Sequence, residues 1–164
     1  MGQFDKIKFK GVNTVWATPP ELFNPLNEEF SFTLDVAADK QNRKVKRYFD
    51  EETNGLEQSW KNEVCWCNPP FGRMVPKWVE KAKVESDNGA TSILLLLAKT
   101  NTKWFHELCM TVSEIRFVKG RPKFIGAKYG LPFPLMLVIF KPNETEPCKI
   151  GSYDWKSLNG IYSE

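Results

Sequence analysis

Residues 90–98, ATSILLLLA, make up a nearly continuous apolar run in the middle of the chain. A strand with one face in water alternates polar and apolar residues, whereas a strand covered on both faces needs no such alternation. The run is also much shorter than the roughly 20 residues of a transmembrane helix. It therefore predicts a central strand that is buried on both faces, with helices on each side of a sheet.

The segments around this run alternate between strand and helix patterns. Apolar residues recur at helical spacing in residues 75–86, and two prolines open another helix at 19–30, which Thr18 can cap. Strands are predicted at 32–37, 44–49, 63–67, 90–98, 113–120 and 134–141, and helices at 19–30, 75–86 and 101–111. This alternation predicts a three-layer α/β fold with a mostly parallel sheet and helices on both faces.

A chain of 164 residues is most simply a single domain. We expect residues 14–141 to form its core and residues 1–13 and 143–164 to be peripheral. A separate recognition domain does not fit in a chain of this length.

Polar side chains follow several of the predicted strands. Asp35, Asp50, Asn68 and Lys99 each lie at or just beyond the end of one. In open α/β sheets, ligands bind at the carboxyl ends of the strands. The sequence therefore predicts a functional site at this edge of the sheet.

The motif Asn68-Pro69-Pro70-Phe71 follows the strand predicted at 63–67. A residue before proline is restricted to extended conformations, and each proline fixes its own φ near −65°. The side-chain oxygen of Asn68 and the carbonyl of Pro69 can therefore act as preset acceptors beside the ring of Phe71. Two such acceptors suit an amino group with two N–H bonds. The alternative is a rigid turn with a purely structural role.

Hydrogen bonds to both N–H groups of an aromatic amine would favour a pyramidal nitrogen, whose lone pair can then attack an electrophile. Such catalysis relies on position and electrostatics and needs no strong base. The ring of Phe71 could stack on a flipped base. The motif thus predicts transfer of a group to an exocyclic or carboxamide nitrogen.

Positive charge is concentrated in the second half of the chain. Residues 61–142 contain 13 basic and six acidic residues, a net charge of +7, and aromatic residues are interleaved with the basic ones in 99–128. This combination is typical of a nucleic-acid surface, although an ordinary solvated face has the same composition. The candidate DNA contacts are Arg73, Lys77, Lys99, Lys103, Arg121 and Lys123.

The cysteines give no indication of a metal site. The four of them form no Cys-x-x-Cys pair, and His106 is the single histidine of the sequence, so we expect no bound metal. Free thiols suit a reducing compartment. We found neither a signal-peptide core at the start nor an apolar run of membrane-spanning length, and we predict a cytoplasmic protein without membrane contact.

Three motifs occur in a characteristic order: WATPPELF at 16–23, FTLDVAA at 32–38 and VCWCNPPF at 64–71. With residues 94–105 and 115–124, they make the chain similar to the phage-type DNA N-6-adenine methyltransferase (Dam) family over roughly residues 14–141. The resemblance implies a Rossmann-like methyltransferase fold, S-adenosylmethionine as cofactor and DNA as partner. It further implies that a flipped adenine is methylated at N6, with Asn68, Pro69, Pro70 and Phe71 as the catalytic motif.

The resemblance also implies cofactor contacts. Thr18 and its neighbouring turn, which includes Pro19, match the residues that hold the methionine end of the cofactor. Asp35 is similar to the acidic residue near the cofactor's amino group, and Ala37 matches a small residue that lets the backbone approach. We further assign Asp50 to the ribose hydroxyls. Trp16 either lines the cofactor pocket or serves as a packing residue.

Two features of the sequence depart from the common pattern. Ala37-Ala38-Asp39 stands where a glycine-rich loop is usual, and the catalytic motif has Asn and Phe at its ends. Motifs of the form NPP[FY] are shared with RNA and protein-glutamine methyltransferases. These activities, and a catalytically silent DNA-binding relative, are therefore the alternatives to DNA adenine methylation. The sequence does not indicate an oligomeric state.

Overall fold

Six strands form a single mixed sheet in the computed structural model, which describes residues 17–111 and 114–157. The strands are β1 (Leu34–Asp35), β2 (Val64–Cys67), β3 (Thr91–Leu97), β4 (Glu114–Val118), β5 (Leu135–Phe140) and β6 (Lys149–Tyr153). The helices are α1 (Pro20–Phe30), α2 (Val75–Asp87) and α3 (Lys103–Glu107), and a 3-10 turn follows at Cys109–Thr111.

The strands lie in the order β1-β2-β3-β5-β4-β6. β5 is antiparallel to both of its neighbours, β3 and β4, and the other three pairings are parallel. The five remaining strands therefore point the same way. The carboxyl ends of β1 and β2 are adjacent at one edge of the sheet, which is where a site was expected.

The central strand β3 is covered on both faces. Ile93 and Leu95 pack in a cluster with the buried face of α1, whereas Leu94 and Leu96 pack in a second cluster with α2 and α3. All four side chains are fully buried. The predicted three-layer α/β architecture of the Rossmann-like class is thus confirmed, with helices on both faces of the sheet.

The structure differs from the sequence prediction at the two ends of the sheet. The strand predicted at 44–49 is not formed: Tyr48 makes one isolated bridge to Asp35, and the neighbouring backbone adds a hydrogen bond from the Ala38 N–H to the Phe49 carbonyl at 3.0 Å without extending the pairing into a strand. Conversely, the segment 143–164 was expected to be peripheral, yet residues 149–153 form β6 beside β4. Tyr153 at the end of β6 is buried and donates a hydrogen bond to the Leu22 carbonyl at 2.9 Å.

Helix α1 begins differently from the prediction. Pro19 occupies the N-cap position with extended backbone, and Thr18 does not cap the helix. At the other end of α1, Glu29 accepts two hydrogen bonds from the guanidinium of Arg116 on β4, at 2.6 and 2.7 Å. Planar, bidentate pairs of this kind fix orientation as well as distance. They attach the C-terminal end of α1 to β4.

Across residues 17–111 and 114–157, we find no helix with both the length and the apolar content that crossing a bilayer requires.

Candidate active site

A cavity of about 130 Å³ opens at the carboxyl ends of β1 and β2. Its lining comes from three parts of the chain that the sheet brings together: the segment before α1, the region from β1 to residue 44, and the end of β2 with the residues that follow it. The lining residues are Ala17, Thr18, Asp35, Ala37, Asn42, Lys44, Trp66, Asn68, Pro69, Pro70 and Phe71.

The amide of Asn68 is oriented by Thr18. Asn68 Nδ2 donates a hydrogen bond to Thr18 Oγ1 at 3.1 Å, across 50 residues of sequence. The Thr18 side chain is almost completely buried, so its position is well defined. Because the amide nitrogen faces Thr18, the amide oxygen is turned to a different side. Thr18, which we expected to cap α1 and to contact the cofactor, thus orients the Asn68 amide and does not cap the helix.

The rest of the motif forms the rim of the cavity. Pro69 is buried, whereas Pro70 and Phe71 are exposed, and the ring of Phe71 is 36% accessible to solvent. Gly72 follows with φ 137°, a conformation that other residues rarely adopt, and the chain then turns into α2. A partly exposed aromatic ring at the mouth of a cavity offers a surface on which a flat ligand can stack.

Asp35 forms the buried end of the cavity. Its side chain accepts hydrogen bonds from the backbone N–H of Lys44 at 2.9 Å and of Ala37 at 3.4 Å. Burial outweighs these hydrogen bonds and raises the pKa of Asp35 to about 6. A carboxylate destabilised in this way gains from a cationic ligand, because the ligand's charge offsets the cost of desolvation.

Four lining residues were missed by sequence analysis: Ala17, Asn42, Lys44 and Trp66. Asn42 and Lys44 lie in the irregular segment after β1, whose path is set by a turn in which Asp39 Oδ1 accepts hydrogen bonds from the backbone N–H groups of Gln41 and Asn42. Lys44 Nζ donates a hydrogen bond to the Thr18 carbonyl. No periodic pattern marks such positions, since they are brought to the cavity by loop geometry.

The predicted cofactor residues are not all at the cavity. Asp50 is absent from its lining, and its Oδ1 accepts hydrogen bonds from the backbone N–H and the hydroxyl of Thr53 at 2.9 and 2.8 Å. The Thr53 hydrogen bonds lower the pKa of Asp50. Pro19 is buried next to the lining residue Thr18. Trp16 lies outside the described residues.

The basic residues predicted to contact DNA are all exposed. Arg73 and Lys77 follow the Asn-Pro-Pro-Phe motif, Lys99 and Lys103 follow β3, and Arg121 and Lys123 lie in the loop between β4 and β5. Each of these three pairs of basic residues therefore lies at the same edge of the sheet as the cavity, the edge formed by the carboxyl ends of the parallel strands.

The loop between β4 and β5 is attached to the cavity wall. The backbone N–H of Ile125 donates to the carbonyl of Ala17 at 3.0 Å, and Ala17 lines the cavity. Phe124 and Leu131 anchor the loop in the core, while Ile125 and Tyr129 are 54% and 71% accessible. Lys128 lies over the ring of Tyr129. The loop presents an aromatic and basic surface next to the cavity.

Among residues 17–111 and 114–157, no three His, Cys, Asp or Glu side chains are grouped so as to hold a metal ion. Cys65, Cys67 and Cys109 are buried free thiols, and Cys148 is a half-buried one.

Comparison with known proteins identifies the family of the chain. A model of the family DNA N-6-adenine-methyltransferase (Dam) matches residues 7–158. The DNA N-6-adenine-methyltransferase of Haemophilus phage HP1 is 31% identical over 141 residues, which cover 81% of this chain and 82% of that protein. The enzyme of the same name from Escherichia phage T1 is 32% identical over 121 residues, covering 69% of this chain and 50% of that protein.

Among solved structures, the SAH-bound crystal structure of SMU.472 matches 69% of this chain and 32% of its own, with 11% identity and a TM-score of 0.40. The family match extends over nearly all of the chain and includes the three motifs that first indicated the resemblance. The chain therefore belongs to the DNA N-6-adenine-methyltransferase (Dam) family.

Proposed function

We propose that the cavity at the ends of β1 and β2 is where this DNA adenine methyltransferase transfers a methyl group from S-adenosylmethionine to N6 of its target adenine. The observation that supports this most directly is the hydrogen bond from Asn68 Nδ2 to Thr18 Oγ1. This hydrogen bond turns the amide nitrogen of Asn68 towards Thr18 and the amide oxygen away from Thr18. A flexible asparagine would have to be oriented during the reaction instead.

In this proposal, the two N–H groups of the adenine amino group donate hydrogen bonds, one to Asn68 Oδ1 and one to the Pro69 carbonyl. Those hydrogen bonds favour a pyramidal nitrogen and free its lone pair for attack. Phe71 stacks on the flipped base, and its exposed ring is available for that contact. When bound, S-adenosylmethionine supplies an electrophilic methyl group. The proton that N6 loses goes to solvent or to a nearby acceptor after the transfer.

The side chains of the cavity suit the amino-acid end of the cofactor. The cavity of about 130 Å³ places a carboxylate and an ammonium side by side, and we propose that it holds the amino-acid end of the elongated cofactor. The buried carboxylate of Asp35 is suited to an ammonium group, and Ala37 leaves room beside it. Trp16, Pro19 and Asp50 remain predicted cofactor contacts on the basis of the family resemblance.

Cofactor binding is expected to weaken in acid. An ammonium ligand needs ionised Asp35, whose pKa is about 6, so SAH (S-adenosylhomocysteine) should bind about tenfold less tightly at about pH 5 than at about pH 7. Calorimetric titrations at the two pH values measure this. Asp35→Asn should bind more weakly than the wild type at about pH 7, and its affinity should change little across this range.

The contribution of Asp35 to folding cannot imitate that result. A buried acid whose pKa is raised on folding adds stability as the pH falls through the folded pKa towards the unfolded value of 3.8. The contribution of Asp35 to folding therefore changes in the opposite direction to its contribution to binding. If the affinity for SAH falls by the same factor between about pH 7 and about pH 5 in the wild type and in Asp35→Asn, the assignment of Asp35 to the ammonium group is wrong.

DNA binds across the exposed basic residues around the cavity in this proposal. Each Lys or Arg that neutralises a phosphate contributes about 0.9 to the slope of log affinity against log salt concentration. Replacing Arg121 and Lys123 with glutamine should therefore reduce this slope by about two, as measured by fluorescence anisotropy. Lys149→Gln is the matched control, because Lys149 is exposed at the opposite edge of the sheet. An unchanged slope in the double variant would exclude these two contacts.

The proposed activity is tested by incubating the protein with S-adenosylmethionine and mixed DNA, RNA and protein substrates. Digestion of the DNA to nucleosides should yield N6-methyladenine. Methylation of RNA or of glutamine without methylation of DNA would contradict the proposal. We also propose that residues 1–164 act as one domain and, from the free thiols, that the protein works in the cytoplasm.

A further inference from the structure

The cavity contains one acidic and one basic residue among its described lining residues, Asp35 and Lys44. The two are neighbours, because the Lys44 backbone N–H donates to Asp35 Oδ2 at 2.9 Å. Their side chains also attract each other electrostatically. A carboxylate and an ammonium at one end of a cavity form the complement of an α-amino-acid zwitterion.

We propose that the Lys44 ammonium binds the carboxylate of the amino-acid end of S-adenosylmethionine, while Asp35 binds its amino group. This inference rests on the proposed position of the cofactor in the cavity. It adds a cation that the sequence motifs did not identify, and it gives the two charged groups of the ligand separate partners.

The position of Lys44 is fixed by its surroundings. The backbone bond to Asp35 holds the start of the side chain, and Nζ donates to the Thr18 carbonyl at the other end. The ring of Phe23 lies beneath, with its centroid 5.9 Å from Nζ. An ammonium has three donors, so the hydrogen bond to Thr18 leaves donors for a ligand.

Electrostatics favour an anion at this point. Lys44 is half-buried, and burial lowers its pKa although Asp35 and Glu21 oppose the shift. An ammonium with reduced hydration gains more from a carboxylate than a fully exposed lysine does. A phosphate of DNA would also satisfy the charge, but half-burial beside Asp35 places Lys44 within the cavity and away from the exposed basic residues of the rim.

The test compares two ligands that differ in one group. SAH and S-adenosyl-3-thiopropylamine, which is SAH without its carboxylate, are titrated by calorimetry into the wild type, Lys44→Met and the control Lys46→Met. Lys46 is exposed two residues away. The wild type and the control should prefer SAH by about tenfold or more, because a charge-assisted contact contributes that much. Lys44→Met should bind both ligands with nearly equal affinity.

Three results would overturn the assignment. They are an equal loss of affinity for both ligands in Lys44→Met, an undiminished preference for SAH in that variant, and loss of DNA binding alone. If Lys44→Met does not fold, absence of a preference in the wild type still overturns it, and Lys44→Arg should retain the preference. A wild type that binds neither ligand would overturn the proposed cofactor site as well. A wild type that binds both ligands with equal affinity would overturn the role of Lys44 alone.

Discussion

Replacing Asn68 with alanine is expected to slow methyl transfer by about 100- to 1,000-fold while SAH affinity changes by less than about threefold. The substitution removes an acceptor directed at charge that develops in the transition state, and losses of this size are typical of such groups. Single-turnover transfer of a labelled methyl group to DNA measures the rate, and calorimetry measures the affinity for SAH.

Two further variants separate catalysis from folding. Asn88→Ala removes an exposed asparagine at the end of α2, at the opposite edge of the sheet, and should leave the rate unchanged. Thr18→Val removes the hydroxyl that accepts from Asn68 Nδ2 but keeps the catalytic oxygen, so it should slow transfer less than Asn68→Ala does. Full activity in Asn68→Ala would contradict the proposed site.

Replacing Phe71 with alanine is the second large effect that we expect. Stacking of a base on an aromatic ring contributes about 1–3 kcal/mol by alanine substitution, which corresponds to a loss of roughly five- to 150-fold in kcat/KM for DNA. Phe71 is 36% exposed in the structure, so the melting temperature of the variant is measured beside the kinetics to separate lost stacking from lost stability. Steady-state kinetics with varied DNA concentration measures the loss.

Phe71→Tyr is the matched variant, because it keeps an aromatic face at the rim of the cavity and should retain most of the activity. Val84→Ala removes an exposed apolar side chain on α2 and should have no effect on the kinetics. Equal activity of Phe71→Ala and the wild type would exclude a stacking role for this ring.

The features that were predictable from sequence are those with a local physical signature. The apolar run at 90–98 is the central strand β3, because a strand covered on both faces needs no polar positions. The prolines after β2 restrict the backbone at Asn68 regardless of what surrounds it, which is why the position of the motif at the edge of the sheet was predictable.

The remaining features depend on contacts between distant parts of the chain. The hydrogen bond between Asn68 and Thr18 spans 50 residues, and sequence analysis assigned Thr18 to helix capping and to the cofactor without pairing it with Asn68. Lys44 reaches the cavity through an irregular loop, where the strand predicted at 44–49 is reduced to one bridge. β6 was missed because four of its five residues are exposed, so its sequence shows no buried face.

The backbone bridge between Ala17 and Ile125 has a consequence for attempts to redesign this enzyme. The loop between β4 and β5 carries candidate DNA-contacting side chains, yet its backbone is bonded to the wall of the cavity. Exchanging that loop for one from a relative would therefore shift Ala17 as well. We therefore expect loop exchanges to change turnover together with target preference, and grafts that preserve the bridge are the ones to select.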